Sequence, residues 1–414
     1  MTTRPACEKE SVNDLAVFGG TPAFGAPCHV GKPNLPPYDR FANRMRRIFE
    51  RGWLSNHGPE VLEFEHAIAA AVGCRKAVAV SNATIGLEVA IRALGMSGEV
   101  IVPAFTFVAT AHALAWQGIT PVFCDIDPHT HAIDISRIEE LITDRTTGII
   151  GVHTWGRACD VDALGQIAAR HHLRLLFDAA HAFGCSHRGR AVGGFGDAEV
   201  FSFHATKFLN TFEGGAVVTN DEGLANAVRS MTNFGFEDYD HVISIGTNGK
   251  MSEASAAMGL ALLESMPHIV AKNRENYRLY KRCLDGIPGL TLFEHEGANR
   301  SNFQYVVAEI DTEGAIHRDV ILEVLHGENV LARRYFYPGV HRMEPYRTTH
   351  PTAGLRLPQT ERLAQRVLVL PTGTAVNADD IVTICDIVRY CVVNGREISK
   401  RLPRERLVIA KDLR

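Results

Sequence analysis

Three short runs in the sequence end apolar stretches on residues able to do chemistry. Ser81-Asn82-Ala83-Thr84-Ile85 passes from an apolar run into a helical period through small and polar residues. A helix beginning there offers unpaired N–H groups and the positive end of its dipole, which suits a phosphate. Simple N-capping by Asn82 accounts for the same residues. Asp178 closes Leu175-Leu176-Phe177 and is followed at a short interval by His181. A carboxylate delivered by an apolar strand needs a partner or must keep its proton, unless it only caps a helix that follows. Lys207 comes just after Phe201-Ser202-Phe203-His204 and ahead of Glu213-Gly214-Gly215. Such a lysine is either a side chain reaching for solvent or a desolvated amine with a lowered pKa.

If these runs meet, their chemistries are complementary. A lysine can form a Schiff base with an aldehyde, an acid can keep a pyridine nitrogen protonated so that the ring takes up electrons, and a helix end can hold a phosphate. Together they describe a site for pyridoxal phosphate. The elements that must bring them together are legible as a rhythm. From about residue 75 to 230, apolar runs of strand length alternate with helical periods, an α/β signature. Strands are expected at Lys76–Ser81, Glu99–Pro103, Pro121–Asp125, Gly148–His153, Leu173–Asp178, Glu199–His204 and Ala216–Thr219. Helices are expected at Thr84–Leu94, Ala109–Gln117, Ile135–Ile142, Val161–His171 and Leu224–Met231. Continuously apolar strands separated by helices imply a mostly parallel central sheet covered on both faces, and such sheets bind ligands at the carboxyl ends of their strands.

Composition changes near Pro267, where a helix dotted with lysine and arginine (Ala271–Leu284) leads into a smaller α+β region with a strand at Phe303–Ile310 and helices at His317–Leu325 and Asp379–Val393. The expected division is an N-terminal arm over residues 1–55, rich in proline and glycine and packing elsewhere in the assembly, a large α/β domain over 56–266, and a small C-terminal domain with a basic tail over 267–414.

With 414 residues, 46% hydrophobic and 22% charged, the chain can bury a sizeable core and exceeds a single small binding module. A net charge of −4 without a dense basic run before the tail argues against nucleic-acid binding. The nine cysteines are scattered and form no C-x-x-C pair, which fits free thiols in a reducing compartment. Met1–Asp14 lacks an apolar signal core, and the most apolar stretch, Val100–Trp116, is broken by Pro103, Thr106, Thr110 and His112, so neither secretion nor a membrane span is expected. A cytoplasmic enzyme is the expectation. The pairs His129/His131, His171/His172 and His181/Cys185 lack the companions of a zinc site, and no metal is expected. Neither G-x-G-x-x-G after a strand nor G-x-x-x-x-G-K-[ST] occurs, which leaves nicotinamide and ATP sites without support.

The motifs FDAAHAFG (Phe177–Gly184), GGFGD (Gly193–Asp197), FSFHATK (Phe201–Lys207) and FEGGAVVTND (Phe212–Asp221), taken in series, resemble the DegT/StrS family of sugar aminotransferases. The resemblance extends more loosely over residues 50 to 395. It implies pyridoxal phosphate and the PLP-dependent transferase fold type I. FHATKFLNTFEGG with GTNGKMSEASAA (Gly246–Ala257) is most similar to the nucleotide-sugar 4-aminotransferases. That similarity implies transfer of an amino group from L-glutamate to C4 of a TDP-4-keto-6-deoxy-hexose, giving TDP-4-amino-4,6-dideoxy-D-glucose. A 3-keto sugar nucleotide or a keto-cyclitol is the alternative acceptor within the same fold, and a non-catalytic sensor the alternative outside enzymology.

By the resemblance, Lys207 is the Schiff-base lysine and proton carrier, Asp178 the pyridinium partner, and His181 a neighbour of the ring and its phenolic oxygen. Ala83 stands where glycine is common, Thr84 and Ile85 match the backbone amides at the phosphate, and Ser202 matches the hydroxyl that joins them. Phe107 matches a ring-stacking aromatic, although an aromatic residue after a strand also packs inward. Many relatives place an asparagine that reaches the phosphate from the neighbouring subunit where this sequence has Lys250. Lysine suits that phosphate too, with Asn248 as the second candidate, and a shared site implies a homodimer. Lysine in place of the histidine of dehydrating relatives implies transamination. Finally, Arg333, Arg334, His341 and Arg342 surround Tyr335-Phe336-Tyr337-Pro338, a patch that either holds a nucleotide diphosphate or is a solvated loop.

Overall fold

The computed structural model describes residues 9–295, 297, 299–311, 314 and 316–402. Strands β1 (Lys76–Val80), β2 (Glu99–Pro103), β3 (Thr120–Cys124), β4 (Thr146–Val152), β5 (Arg174–Asp178), β6 (Ala198–Ser202) and β7 (Gly215–Thr219) build one sheet in the order β1-β7-β6-β5-β4-β2-β3. Strand β7 runs antiparallel to both neighbours and the remaining pairs are parallel. Side-chain alternation along each strand feeds two cores. Ala77, Ala79, Leu175 and Phe177 face one, while Val78, Val80 and Leu176 face the other.

The helices are α1 (Tyr38–Arg51), α2 (Pro59–Val72), α3 (Ala83–Ala93), α4 (Ala109–Ala115), α5 (Val161–His171), α6 (Glu222–Thr232) and α7 (Glu253–Leu263). Helices α2, α5 and α7 cover the first face, and α3, α4 and α6 the second. Local chemistry sets their limits. Helix α2 opens on Pro59 and stops at Gly73, whose φ of 67° only glycine adopts without cost. Helix α5 opens where the Asp160 side chain accepts from the Ala163 amide. The expected helix at Ile135–Ile142 is absent. Two short 3-10 turns, Ile135–Arg137 and Glu139–Leu141, stand there; Ile138 is fully buried, and Ile135, Leu141 and Ile142 pack against the same core only partly buried.

Helix α8 (Met266–Leu284) leads to a three-stranded antiparallel sheet of β8 (Leu290–Leu292), β9 (Val306–Ile310) and β10 (Val367–Leu370), packed with α9 (Arg318–Gly327) and the helix Ala378–Val393. The N-terminal segment joins this unit. Val12, Leu15 and Phe24 enter its core, and Cys28–His29 pairs in parallel with Val330–Leu331. The buried Glu328 carboxylate accepts from the amides of Ala16 and Ala23 at 2.8 and 2.7 Å. The segment expected as an arm is tied to its own chain over these residues and then forms α1. The basic tail beyond Leu402 and Cys7 lie outside the described residues; the eight other cysteines are free thiols. Among the described residues no single helix is long and apolar enough to cross a membrane.

Candidate active site

The carboxyl ends of β1, β5 and β6 meet at one cavity of about 660 Å³. At the end of β1 the chain turns through Asn82 into α3. The Asn82 side chain caps this helix by accepting from the Ile85 amide at 2.9 Å, and the same helix terminus lines the cavity. The capping reading of this turn holds, and the turn also borders the cavity. The cap has one consequence for the anticipated amides: Ile85 N–H is taken, so the open donors of the first turn are Ala83 and Thr84, one position upstream of the expected Thr84 and Ile85 pair. Gly215, which begins β7 opposite Val80 and Ser202, allows this approach. A Cβ there would lie 2.9 Å from the Ala83 nitrogen and 2.8 Å from the Phe201 carbonyl oxygen.

Asp178, the last residue of β5, is 6% exposed. One carboxylate oxygen accepts from the Ala180 amide at 3.1 Å and the other from the Thr110 hydroxyl at 2.8 Å. No helix directly follows Asp178, so the helix-capping reading fails, and both carboxylate oxygens are held by hydrogen-bond donors. Thr110 also meets Thr106 at 2.9 Å, and this pair explains two of the polar interruptions of the apolar stretch. Lys207 lies beyond β6, and its amine stays within the cavity, 3.4 Å from the Tyr305 hydroxyl. Burial lowers its pKa to about 8, against the pull of the Asp178 charge.

His181 is buried beneath the cavity, in near-parallel stacks with Trp155 and Phe336 at 6.1 and 5.9 Å and tilted against Tyr305 at 4.6 Å. Burial and the nearby Lys207 hold its pKa well below the ordinary value, so the ring is neutral. Its Nδ1 is buried without a protein partner. Trp155 is itself fixed, donating to His131 Nδ1 at 3.0 Å, while His131 Nε2 meets Glu309 at 3.0 Å. These bonds account for His131, one of the histidines weighed as a metal ligand. Phe107 remains 56% exposed on the cavity lip, which rules out the core position that its sequence context also allowed.

Of the ten anticipated residues, Ala83, Thr84, Ile85, Phe107, Asp178, His181, Ser202 and Lys207 line the cavity. Lys250 and Asn248 do not. Lys250 donates to the Asn233 side chain at 2.9 Å and lies over the Phe234 ring at 4.7 Å, while Asn248 bridges to Asn233. Sequence reasoning did not anticipate Trp155 or Tyr305, and named Phe336 only within the basic and aromatic patch around Tyr335–Pro338. The signal available for Tyr305 was weak, since it lies far along the chain and reads as core.

The geometry matches known proteins across most of the chain. A family model described as the DegT/DnrJ/EryC1/StrS aminotransferase family matches residues 38–389. A dTDP-4-amino-4,6-dideoxy-D-glucose transaminase of Shigella dysenteriae is 37% identical over 90% of this chain and 99% of its own. The Escherichia coli enzyme of the same name is 35% identical over 87% and 97%. Among solved structures, DesI determined in the presence of its TDP-sugar product superposes with a TM-score of 0.90 at 49% identity, covering 94% of this chain and 99% of DesI. The Helicobacter pylori aminotransferase PseC, involved in pseudaminic acid biosynthesis by its described role, gives 0.83 at 28% identity, over 89% and 100%.

Proposed function

The chain belongs to the DegT/DnrJ/EryC1/StrS aminotransferase family, and from that premise we propose that it uses pyridoxal phosphate to move an amino group from L-glutamate to C4 of a TDP-4-keto-6-deoxy-hexose, giving TDP-4-amino-4,6-dideoxy-D-glucose. The observation that carries the reading is the convergence on one cavity of a lysine of lowered pKa, a held carboxylate and an open helix terminus. The names of the relatives from Shigella dysenteriae and Escherichia coli support the choice of product.

The donor set fits this cofactor. Two amides without partners suit a phosphate, and His181, which lines the cavity, carries a buried Nδ1 without a protein partner. When bound, the cofactor supplies a carbonyl carbon for nitrogen to attach to and an electron-withdrawing ring. The remaining work falls to the chain. Ala83 and Thr84 amides, with the Ser202 hydroxyl, would hold the phosphate, and Phe107 would lie against the ring. Asp178, oriented by Thr110 and the Ala180 amide, would keep a proton on the ring nitrogen. His181, neutral and packed beside Trp155, Tyr305 and Phe336, would border the ring. The Lys207 amine, neutral just above physiological pH, takes a proton from the donor carbon in one half-reaction and returns one to the acceptor carbon in the other.

In this reading Lys250, with Asn248 as second candidate, serves the cavity of a partner subunit in a homodimer, which accounts for both lying outside the cavity of their own chain. Free thiols throughout the described residues support a cytoplasmic setting.

The test runs the two half-reactions apart. Holoenzyme is bleached with L-glutamate, freed of donor, and given TDP-4-keto-6-deoxy-D-glucose while colour and product mass are followed. Return of the yellow colour with one amino sugar per site is the expected result. Bleaching without return discards this acceptor, and failure to bleach overturns the donor.

A further inference from the structure

Of the four basic residues around Tyr335–Pro338, three have a carboxylate partner within the chain. Arg334 pairs with Asp319 at 3.2 Å, and His341 and Arg342 both meet Glu361, at 2.8 and 2.6 Å. Arg333 has no carboxylate partner among the described residues. Its guanidinium lies 5.2 Å from the Tyr335 ring centre, and the residue is exposed. Its place is defined by two hollows. It lines the cavity that holds Lys207 and also an adjoining groove of about 290 Å³ bounded by Phe107, Val108, Tyr335 and Tyr337. Phe107, Arg333, Tyr335 and Phe336 border both hollows, and Arg333 is the charged member of that set.

We infer that Arg333 binds the diphosphate of the acceptor where the sugar leaves the reaction cavity, with the nucleoside lying along the aromatic groove beyond it. The inference rests on the sugar-nucleotide reading above and deepens it. A keto sugar whose carbonyl reaches Lys207 must carry its diphosphate outward, because the nucleotide is too long to share the cavity with the reacting carbon. A planar fork of N–H donors free of internal carboxylates matches two phosphate groups in a way that a lysine does not. The groove past it is walled by Val108, Tyr335 and Tyr337, apolar and aromatic surface against which a nucleoside can lie. The amino-acid donor has no group that extends to this groove. Arg333 therefore discriminates between the two half-reactions that alternate in one cavity.

Arg333→Gln removes the charge at an exposed position, so folding is not at stake. In the acceptor half-reaction the concentration of TDP-keto sugar for half-maximal rate should rise about 10- to 100-fold, the scale of one charge-assisted contact. The glutamate half-reaction should lose far less. Arg342→Gln, whose partner is Glu361 and which borders neither hollow, should leave both unchanged. Loss of both half-reactions to the same degree, or of neither, overturns the assignment. Titration of the holoenzymes with TDP, UDP and GDP separates this inference from the choice of sugar. If the wild type rejects the TDP-4-keto sugar yet binds a nucleoside diphosphate, and Arg333→Gln does not, the inference stands and the acceptor must be revised. Equal nucleoside diphosphate binding by wild type and variant overturns the inference even if the sugar is correct. A wild type that binds no nucleoside diphosphate overturns both.

Discussion

Lys207 owes its reactivity to where its amine sits. An ordinary lysine titrates at 10.5, and burial brings this one to about 8 even with the Asp178 charge opposing. The neutral amine is the nucleophile, and it is populated as pH rises through that value. When cofactor-free protein is mixed with pyridoxal phosphate, the rate at which colour forms should climb up to about pH 8 and then level off. A rate still accelerating between about pH 9 and 10 would show an amine of ordinary pKa and remove burial as the cause. The lysine and the acid were legible in the sequence only together: each closes an apolar run and has an ordinary explanation alone, but with the helix start after Ser81 they describe one chemistry. Trp155 was not legible. It lies buried at a left-handed φ of 60°, but in sequence it is one aromatic residue in a buried stretch, and only its stacking on His181 ties it to the site. Asn82 held two roles at once, and only the 2.9 Å bond to Ile85 decides which amides remain open.

At the scale of elements, the site depends on how α3 begins. Strands β1, β5 and β6 deliver their ends to one rim because they share a sheet, and Gly215 lets β7 lie against the first turn of α3. Asn82 both caps this turn and faces the cavity, so two substitutions separate its roles. Asn82→Asp keeps a good cap but adds a charge beside the proposed phosphate site. Thermal unfolding of the cofactor-free protein should stay near the wild-type midpoint, while the Kd for pyridoxal phosphate rises about tenfold or more. Asn82→Ala should do the reverse, costing about 1 kcal/mol of stability with a smaller effect on the Kd. Unchanged cofactor affinity in Asn82→Asp would place the phosphate elsewhere. Most strands and helices were readable, since apolar runs of strand length between helical periods leave little choice. The segment Ile135–Ile142 misled because its apolar spacing is helical, whereas only Ile138 is fully buried. The N-terminal segment misled because proline and glycine advertise an extended chain but say nothing of the core that Val12, Leu15 and Phe24 enter.

The scale of the whole molecule is the one at which the single chain leaves something over. Lys250 follows a segment whose apolar side chains face outward: Phe234, Tyr239, Val242, Ile243 and Ile245 are all at least 48% exposed. Clustered apolar exposure of this kind marks a surface that associates, and Lys250 at its end is held away from the cavity of its own chain by Asn233 and Phe234. If this surface pairs two chains and carries each Lys250 to the other's phosphate, loss of Lys250 in one chain must be felt in its neighbour. Lys207→Ala and Lys250→Ala homodimers should each be impaired, the first inactive and the second weak in cofactor binding. Denatured together in equal amounts and refolded, they form mixed dimers in which one site combines an intact Lys207 with the other chain's intact Lys250. Random pairing gives such a site in about a quarter of all positions, so activity should return to about a quarter of the wild-type value at limiting cofactor. A Lys250 that served its own chain could not be complemented, because every chain with Lys207 would then lack Lys250 in the same site. Recovery of activity in the mixture therefore distinguishes a shared site from one complete within each subunit, and its absence would remove Lys250 from the partner's cavity.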